Sequence, residues 1–130
     1  MPVTYLDSSA IVKLAVAESE SPALRRHLRR RRPLVSSALA RTEVLRALLP
    51  AGPVATTAGR AVLAGVELLR VNDRVLSDAA ALEPVELRTL DAIHLATARR
   101  FGTELTLVVT YDDRMLAAAD QLGIRTAAPA

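Results

Sequence analysis

Cysteine and tryptophan are absent from these 130 residues, and histidine occurs only twice, as His27 and His94. Without thiols there are no disulfides and no thiolate metal sites, so any bound metal must be held mainly by oxygen, which suits magnesium or manganese. Aromatic residues are limited to Tyr5, Phe101 and Tyr111, too few for a platform on which successive bases stack. No apolar run approaches the roughly 20 residues that cross a bilayer, and no basic segment leading into a long apolar core opens the chain. The expectation is a cytoplasmic protein with no membrane contact. Lysine is nearly missing as well, Lys13 being the only one.

Arginine supplies the remaining cations of a chain with net charge +3 and pI ≈ 10.2. Its planar fork pairs bidentately with phosphate or carboxylate, so an Arg-rich chain fits a polyanion or an acidic peptide as partner. An Ala/Arg/Leu bias also arises from a GC-rich coding genome. The basic residues concentrate at Arg25, Arg26, Arg29, Arg30, Arg31 and Arg32. Such a run is either a solvated helix face or a contact for phosphates or an acidic partner. The length suits one domain that buries roughly two thirds of its unfolded surface.

Along the chain, Val3–Leu6 is a short apolar run delivered into Asp7-Ser8-Ser9, which reads as a buried strand entering a helix N-terminus. In open parallel sheets ligands sit at the carboxyl ends of strands, although Asp7 taken alone is equally a helix cap. Ser9 to about Glu18 reads as a helix with Ile11, Leu14 and Ala15 on one face. Ser21-Pro22 restarts the helical pattern, with Leu24 and Leu28 as an apolar edge on the basic segment ending at Arg32-Pro33. Leu34–Ser36 reads as a second strand, and Ala38–Leu49 as a helix whose Leu45, Leu48 and Leu49 face the core. Glu43 sits at the border of that stripe.

Pro53 to about Val66 reads as a weaker helix, interrupted by Gly59 and Gly65, and Glu67–Val71 as a strand. Asn72-Asp73 begins a helix carrying Val75, Leu76, Ala79 and Leu82, which Glu83-Pro84 ends. After a loop over Val85–Thr89, Leu90–Phe101 is a helix closed by Gly102. Leu105–Thr110 is the best strand in the sequence and runs into Tyr111-Asp112-Asp113. A helix over Arg114–Leu122, ended by Gly123, and a short strand at Ile124–Thr126 complete the order β-α-α-β-α-α-β-α-α-β-α-β. That alternation gives a parallel sheet with helices on both faces.

Asp7 and Asp112 each follow an apolar run directly, at the carboxyl ends of two strands that could be neighbours in the sheet. Asp91 opens the helix Leu90–Ala98, on a face with Leu95 and Ala98, where it is either a first-turn dipole partner or a buried ligand. Carboxylates packed within a few ångströms repel and raise one another's pKa, and a divalent cation removes that penalty. Hard oxygen ligands suit Mg2+, which keeps several waters and accepts substrate phosphates. Such a metal activates water for attack on phosphorus and neutralises the leaving oxygen. Thr110 and Ser9 are either second supports for the carboxylates or ordinary cap and turn residues.

Four segments carry a family resemblance when taken together. Thr4–Ala10, Arg41-Thr42-Glu43-Val44, Leu90-Asp91-Ala92-Ile93-His94-Leu95-Ala96-Thr97-Ala98 and Val109–Leu116 resemble, in order and spacing, a PIN-domain ribonuclease of the VapC toxin type. The resemblance spans nearly the whole chain. It implies one PIN domain over residues 1–130, a PIN-like three-layer α/β/α fold with a parallel sheet of about four to five short strands. It also implies a metal-dependent endoribonuclease using Mg2+ or Mn2+, with Asp7, Glu43, Asp91 and Asp112 as the acidic site. A homodimer and a cognate VapB-type antitoxin whose C-terminal segment covers the site follow from it too, and the Arg25–Arg32 run then contacts RNA or antitoxin. Asp113 is either a further acidic residue or a helix cap. His94 matches the family helix, and a lone His three residues from an Asp is expected to pack or hydrogen-bond rather than to bind metal.

Three other readings compete. A phosphoacceptor receiver domain needs an acidic pair near the end of the first strand and a lysine after the last, and this chain has a single Asp7 and only Lys13. A haloacid-dehalogenase-type phosphatase needs a second Asp where Ser9 stands. A catalytically silent PIN-like binding module for RNA or protein shares every fold feature and differs only in chemistry. Leu63 and Leu69 are candidates for a dimer surface if a monomer leaves them uncovered.

Overall fold

The computed structural model describes residues 1–130. Five strands form one parallel sheet in the order β3-β2-β1-β4-β5, with β1 at Val3–Leu6, β2 at Leu34–Ser37, β3 at Glu67–Leu69, β4 at Leu105–Val109 and β5 at Thr126–Ala127. The first strand is central, paired to β2 through Thr4 and Leu34 and to β4 through Leu6 and Val109. Every residue of β1 and β2 is buried, as expected for strands covered on both faces.

Seven α-helices cover the sheet: α1 Ser8–Ala15, α2 Ser21–Leu28, α3 Leu39–Leu48, α4 Pro53–Ala64, α5 Asp73–Ala80, α6 Thr89–Arg99 and α7 Asp113–Gln121. The period-2 alternation of the strands sorts them into two layers. Leu6, Leu34, Leu107 and Val109 point toward α1–α4, where they meet Ile11, Leu24, Val44, Leu48 and Leu63 in the main core. Val3, Tyr5, Val35 and Val108 point the other way, toward Ala98 of α6, while Leu95 of α6 packs on Met115 and Ala118 of α7. Fully buried side chains such as Leu6, Ile11 and Leu24 contribute about 1.5–3 kcal/mol each.

The element order read from the sequence is the order observed, and several boundaries differ. The first helix stops at Ala15 rather than near Glu18, because Val16 turns extended and Ser21 Oγ donates to the Lys13 carbonyl, closing the chain into a turn. The basic helix ends at Leu28, so Arg29–Arg32 lie in the turn before β2. Strand β3 stops at Leu69 rather than Val71, and β5 is displaced to Thr126–Ala127, where Val108 and Val109 fix its register.

Some residues expected in the core, or expected at the surface, are found elsewhere. Leu49 is 61% exposed, since it starts a 3-10 turn beyond α3, and Leu76 is 46% exposed on the outer side of α5. Leu63 is buried in the main core and Leu69 half-buried in β3, so neither offers a free dimer surface. Gly59 allows α4 to approach α3 closely: a Cβ there would stand 2.5 Å from Leu48 Cδ1. Gly123, at φ +72°, ends α7 in the left-handed conformation that favours glycine.

Candidate active site

Asp7 stands at the end of the central strand, its N–H donating to the Val109 carbonyl at 3.1 Å. That bond aligns the ends of β1 and β4. Asp7 is also the N-cap of α1, with Oδ1 accepting from Ala10 N–H at 3.1 Å and from Ser9 Oγ at 2.6 Å. Oδ2 accepts from Thr110 Oγ1 at 2.5 Å. The helix cap and the candidate site residue are therefore one carboxylate. Burial pushes its pKa up, and the bonds from Ser9, Thr110 and Ala10 offset only part of that rise.

Asp112 repeats the design one strand away. It is the N-cap of α7, with Oδ1 accepting from Arg114 N–H at 2.9 Å and Met115 N–H at 3.0 Å, which leaves Oδ2 without a protein partner. Its own N–H donates to Thr110 Oγ1 at 3.1 Å, so one hydroxyl joins Asp7 to Asp112. Ser9 makes a second tie, accepting from Tyr111 N–H at 3.0 Å. Asp113 is the exposed first residue of α7, and the cap is Asp112, because the preceding residue holds the extended conformation from which a cap carboxylate reaches the first turn.

Asp91 lies in the first turn of α6, half-buried and with no hydrogen bond to either oxygen. Burial raises its pKa, and the charges of Asp112 and Asp7 raise it further against Arg88 and His94. Asp91 thus stands near enough to the two strand-end aspartates to feel their charge.

Glu43, on the second turn of α3, is held differently. Its Oε1 accepts from Ser8 Oγ at 2.7 Å and from His94 Nε2 at 2.6 Å. His94 Nδ1 lies 2.7 Å from the Tyr5 hydroxyl, and the two rings meet edge to face at 81°. Burial works to raise the Glu43 pKa, but the bonds from His94 and Ser8 outweigh it and hold the carboxyl below its ordinary value. Glu43 is therefore tethered toward α6 and Tyr5.

No three acidic or histidine side chains stand close enough together to form a ready-made metal cage. The donor chemistry nevertheless fits a hard divalent cation. Asp91 has both oxygens free and Asp112 one, all are carboxylate, and neither cysteine nor a free imidazole competes. A few carboxylates with waters and substrate phosphates completing the shell is the arrangement magnesium favours.

The arginine run is set apart from these acids. None of Arg25, Arg26, Arg29, Arg30, Arg31 and Arg32 pairs with a carboxylate, and all six are exposed. Arg29–Arg32 precede Leu34, which pairs with Thr4 at the start of β1, whereas Asp7 lies at its end. The four-residue strand separates the two by about 13 Å along the sheet.

Sequence reasoning did not single out Ser8, Tyr5 or Arg88. Tyr5 is legible only through the strand alternation that turns it toward α6, and through the helical spacing that sets its partner His94 one turn deeper than Asp91. Arg88, next to α6, carries no signal beyond its charge.

Comparisons with known proteins agree with this architecture. The PIN domain family matches residues 4–121. Ribonuclease VapC46 of Mycobacterium tuberculosis is 64% identical over 129 residues, covering 99% of each chain. Ribonuclease VapC35 of the same species is 42% identical over 129 residues, covering 96% of each. Among solved structures, Mycobacterium tuberculosis VapC20, described as a Sarcin-Ricin loop cleaving toxin, superposes with a TM-score of 0.73 at 19% identity, covering 88% of this chain and 94% of that one. A toxin-antitoxin complex from Klebsiella pneumoniae gives 0.75 at 19% identity, covering 98% of both chains. At that identity the two structures speak for the fold.

Proposed function

Because the chain belongs to the PIN-domain family, as an endoribonuclease toxin of the VapC type, we propose that Asp7, Asp91 and Asp112, with Glu43 as the fourth acid, hold Mg2+ or Mn2+ for hydrolysis of RNA phosphodiesters. The observation that carries the reading is the convergence of three aspartates at the ends of β1 and β4 and the start of α6, where Asp112 and Asp7 burden Asp91 with like charge. A cation held by Asp7, Asp91 and Asp112 would lower the cost of those charges and would supply an activated water and a counter-charge for the departing oxygen.

The chain's own residues do the rest. Thr110 and Ser9 aim Asp7 and oppose the effect of its burial, because each donates a hydrogen bond that favours the charged form. Asp112 offers Oδ2 because its cap bonds occupy Oδ1. Asp113, exposed beside it, has no partner that assigns it a role.

The same reading gives the chain a single PIN domain over residues 1–130, a cytoplasmic location and a cognate VapB-type antitoxin that neutralises it. It also includes a homodimer, with exposed Leu76, Val85 and Leu90 as its surface in place of Leu63 and Leu69. The Arg25–Arg32 surface contacts RNA backbone or antitoxin at a distance from the chemistry.

The deciding experiment compares metal-dependent cleavage of total cellular RNA, and growth on induction, for wild type and Asp7→Asn. Cleavage and growth arrest by wild type alone are expected. Equal cleavage by both proteins overturns the site, and no cleavage by either under any divalent cation favours the silent binding module.

A further inference from the structure

We infer that Tyr5 and His94 form a positioning relay for Glu43: the Tyr5 hydroxyl fixes the orientation of the imidazole and the nitrogen that carries its hydrogen, so that Nε2–H points at Glu43 Oε1. The inference rests on the reading of Glu43 as part of the acidic site.

The hydrogen positions follow by elimination. A carboxylate oxygen only accepts, so the 2.6 Å contact with Glu43 Oε1 puts a hydrogen on His94 Nε2. Tyr5 is completely buried, and its phenol has a hydrogen to donate. With its hydrogen on Nε2 the neutral imidazole leaves Nδ1 bare, 2.7 Å from that hydroxyl, whose other polar neighbours are Ser36 and Ser37. The chain therefore runs from Tyr5 O–H to Nδ1 and from Nε2–H to Oε1. Both ring nitrogens are used, and a ring flip would break both bonds.

The relay matters because nothing else in the core holds Glu43 in place. Ser8 Oγ donates to the same Oε1, at 2.7 Å, and lies 3.4 Å from His94 Nε2, but Ser8 is only half-buried, on the first turn of α1. His94 is 2% exposed and fixed between β1 and α3. With Oε1 occupied by Ser8 and His94, Oε2 has no protein partner and is the oxygen left for the site. Outer hydrogen-bond partners of this kind orient a ligand and set its basicity, and their loss typically costs about 10–100-fold in metal affinity or activity. Tyr5 and His94 are positioning residues in this scheme, since neither faces the reacting atoms.

The test is a mutant cycle on the full-length chain, read by Mn2+ affinity without RNA and by kcat and KM on an end-labelled random RNA pool. Tyr5→Phe, which removes only the hydroxyl, is expected to weaken Mn2+ binding about tenfold and lower kcat with KM within about twofold. A glutamine amide turns its NH2 toward Glu43 without help. Adding Tyr5→Phe to His94→Gln should therefore change either quantity less than about twofold, whereas two independent packing defects would multiply. Nitrogen-15 spectra of the wild-type protein supply a readout that needs neither variant nor metal: His94 should carry its hydrogen on Nε2 with Nδ1 bare. A hydrogen on Nδ1, or multiplicative losses in the double variant, overturns the relay. If Glu43→Gln abolishes cleavage while Tyr5→Phe matches wild type, the relay fails and the acidic site stands. If Glu43→Gln retains full Mn2+ binding and cleavage, the reading of Glu43 as a site acid fails first and the relay falls with it.

Discussion

The hydroxyl of Thr110 donates to Asp7 Oδ2 across 103 residues of sequence, and the same oxygen accepts from the backbone of Asp112. One buried threonine thereby joins the two strand-end aspartates. Thr110→Val keeps the shape and removes that link. A hydrogen bond to a charged group is worth about 1.5–3 kcal/mol, so the variant should lose that much stability at pH 7. The bond favours the ionised carboxylate, and without it the folded Asp7 pKa rises further. The loss should therefore be largest at neutral pH and fade as Asp7 protonates on acidification. Urea denaturation at pH 7 and pH 4 checks this, and an equal loss at both would refute it.

Asp7→Asn should separate stability from activity. The folded Asp7 pKa lies above its ordinary value of 3.8 because the carboxyl is buried. An acid raised in this way makes the metal-free protein less stable as pH climbs from 3.8 through the folded pKa, because the unfolded chain ionises first. Asparagine keeps the cap acceptor for Ala10 N–H and carries no charge. The variant should melt higher than wild type at pH 7 without metal, by roughly 4 °C for each kcal/mol gained, and show no gain near pH 3. It should also cleave no RNA. A lower melting temperature at pH 7 would show that hydrogen bonds outweigh desolvation at this site.

Asp91→Asn tests a carboxylate with no structural duty. It makes no hydrogen bond and bears the repulsion of Asp112 and Asp7, so without metal the variant should be at least as stable as wild type at pH 7. Cleavage should fall at least about 100-fold, beyond the loss expected for an outer support. Chelation of divalent cations should abolish wild-type cleavage, and Mn2+ should restore it. Retained cleavage in Asp91→Asn would remove this residue from the site.

Replacing Arg29–Arg32 with alanine tests the cationic surface away from the acids. If it holds RNA, KM rises with kcat unchanged, and the dependence of log binding constant on log salt loses about 0.7 per phosphate contact on single-stranded RNA. If it holds antitoxin, RNA kinetics stay as in wild type and antitoxin affinity drops. A fall in kcat alone would contradict the separation seen along β1.

The order of elements was legible from the sequence because each signal is local. Apolar runs end on acids at Leu6-Asp7, prolines and glycines punctuate the helices, and Asp91 opens a helix of small and apolar residues. The boundaries that moved, at Ala15, Leu28 and Leu69, lie where a turn or an edge strand meets tertiary partners that periodicity does not report. Likewise Leu63 became core and Leu49 surface through the packing of α3 on α4, which helical spacing within either helix leaves open.

The sequence by itself determined the α/β alternation, the delivery of Asp7 and Asp112 to strand ends and the residue types from which the proposed oxygen-ligand site would be built. Only the tertiary structure decided that β1 lies between β2 and β4, and with it that Thr110 reaches Asp7, that Tyr5 reaches His94 and His94 reaches Glu43, and that Arg29–Arg32 fall at the opposite end of the strands. The physical reason is range. Propensity, capping and periodicity act over a few residues, whereas these bonds span up to 103 residues and exist only once burial of apolar faces has fixed the order and register of the sheet.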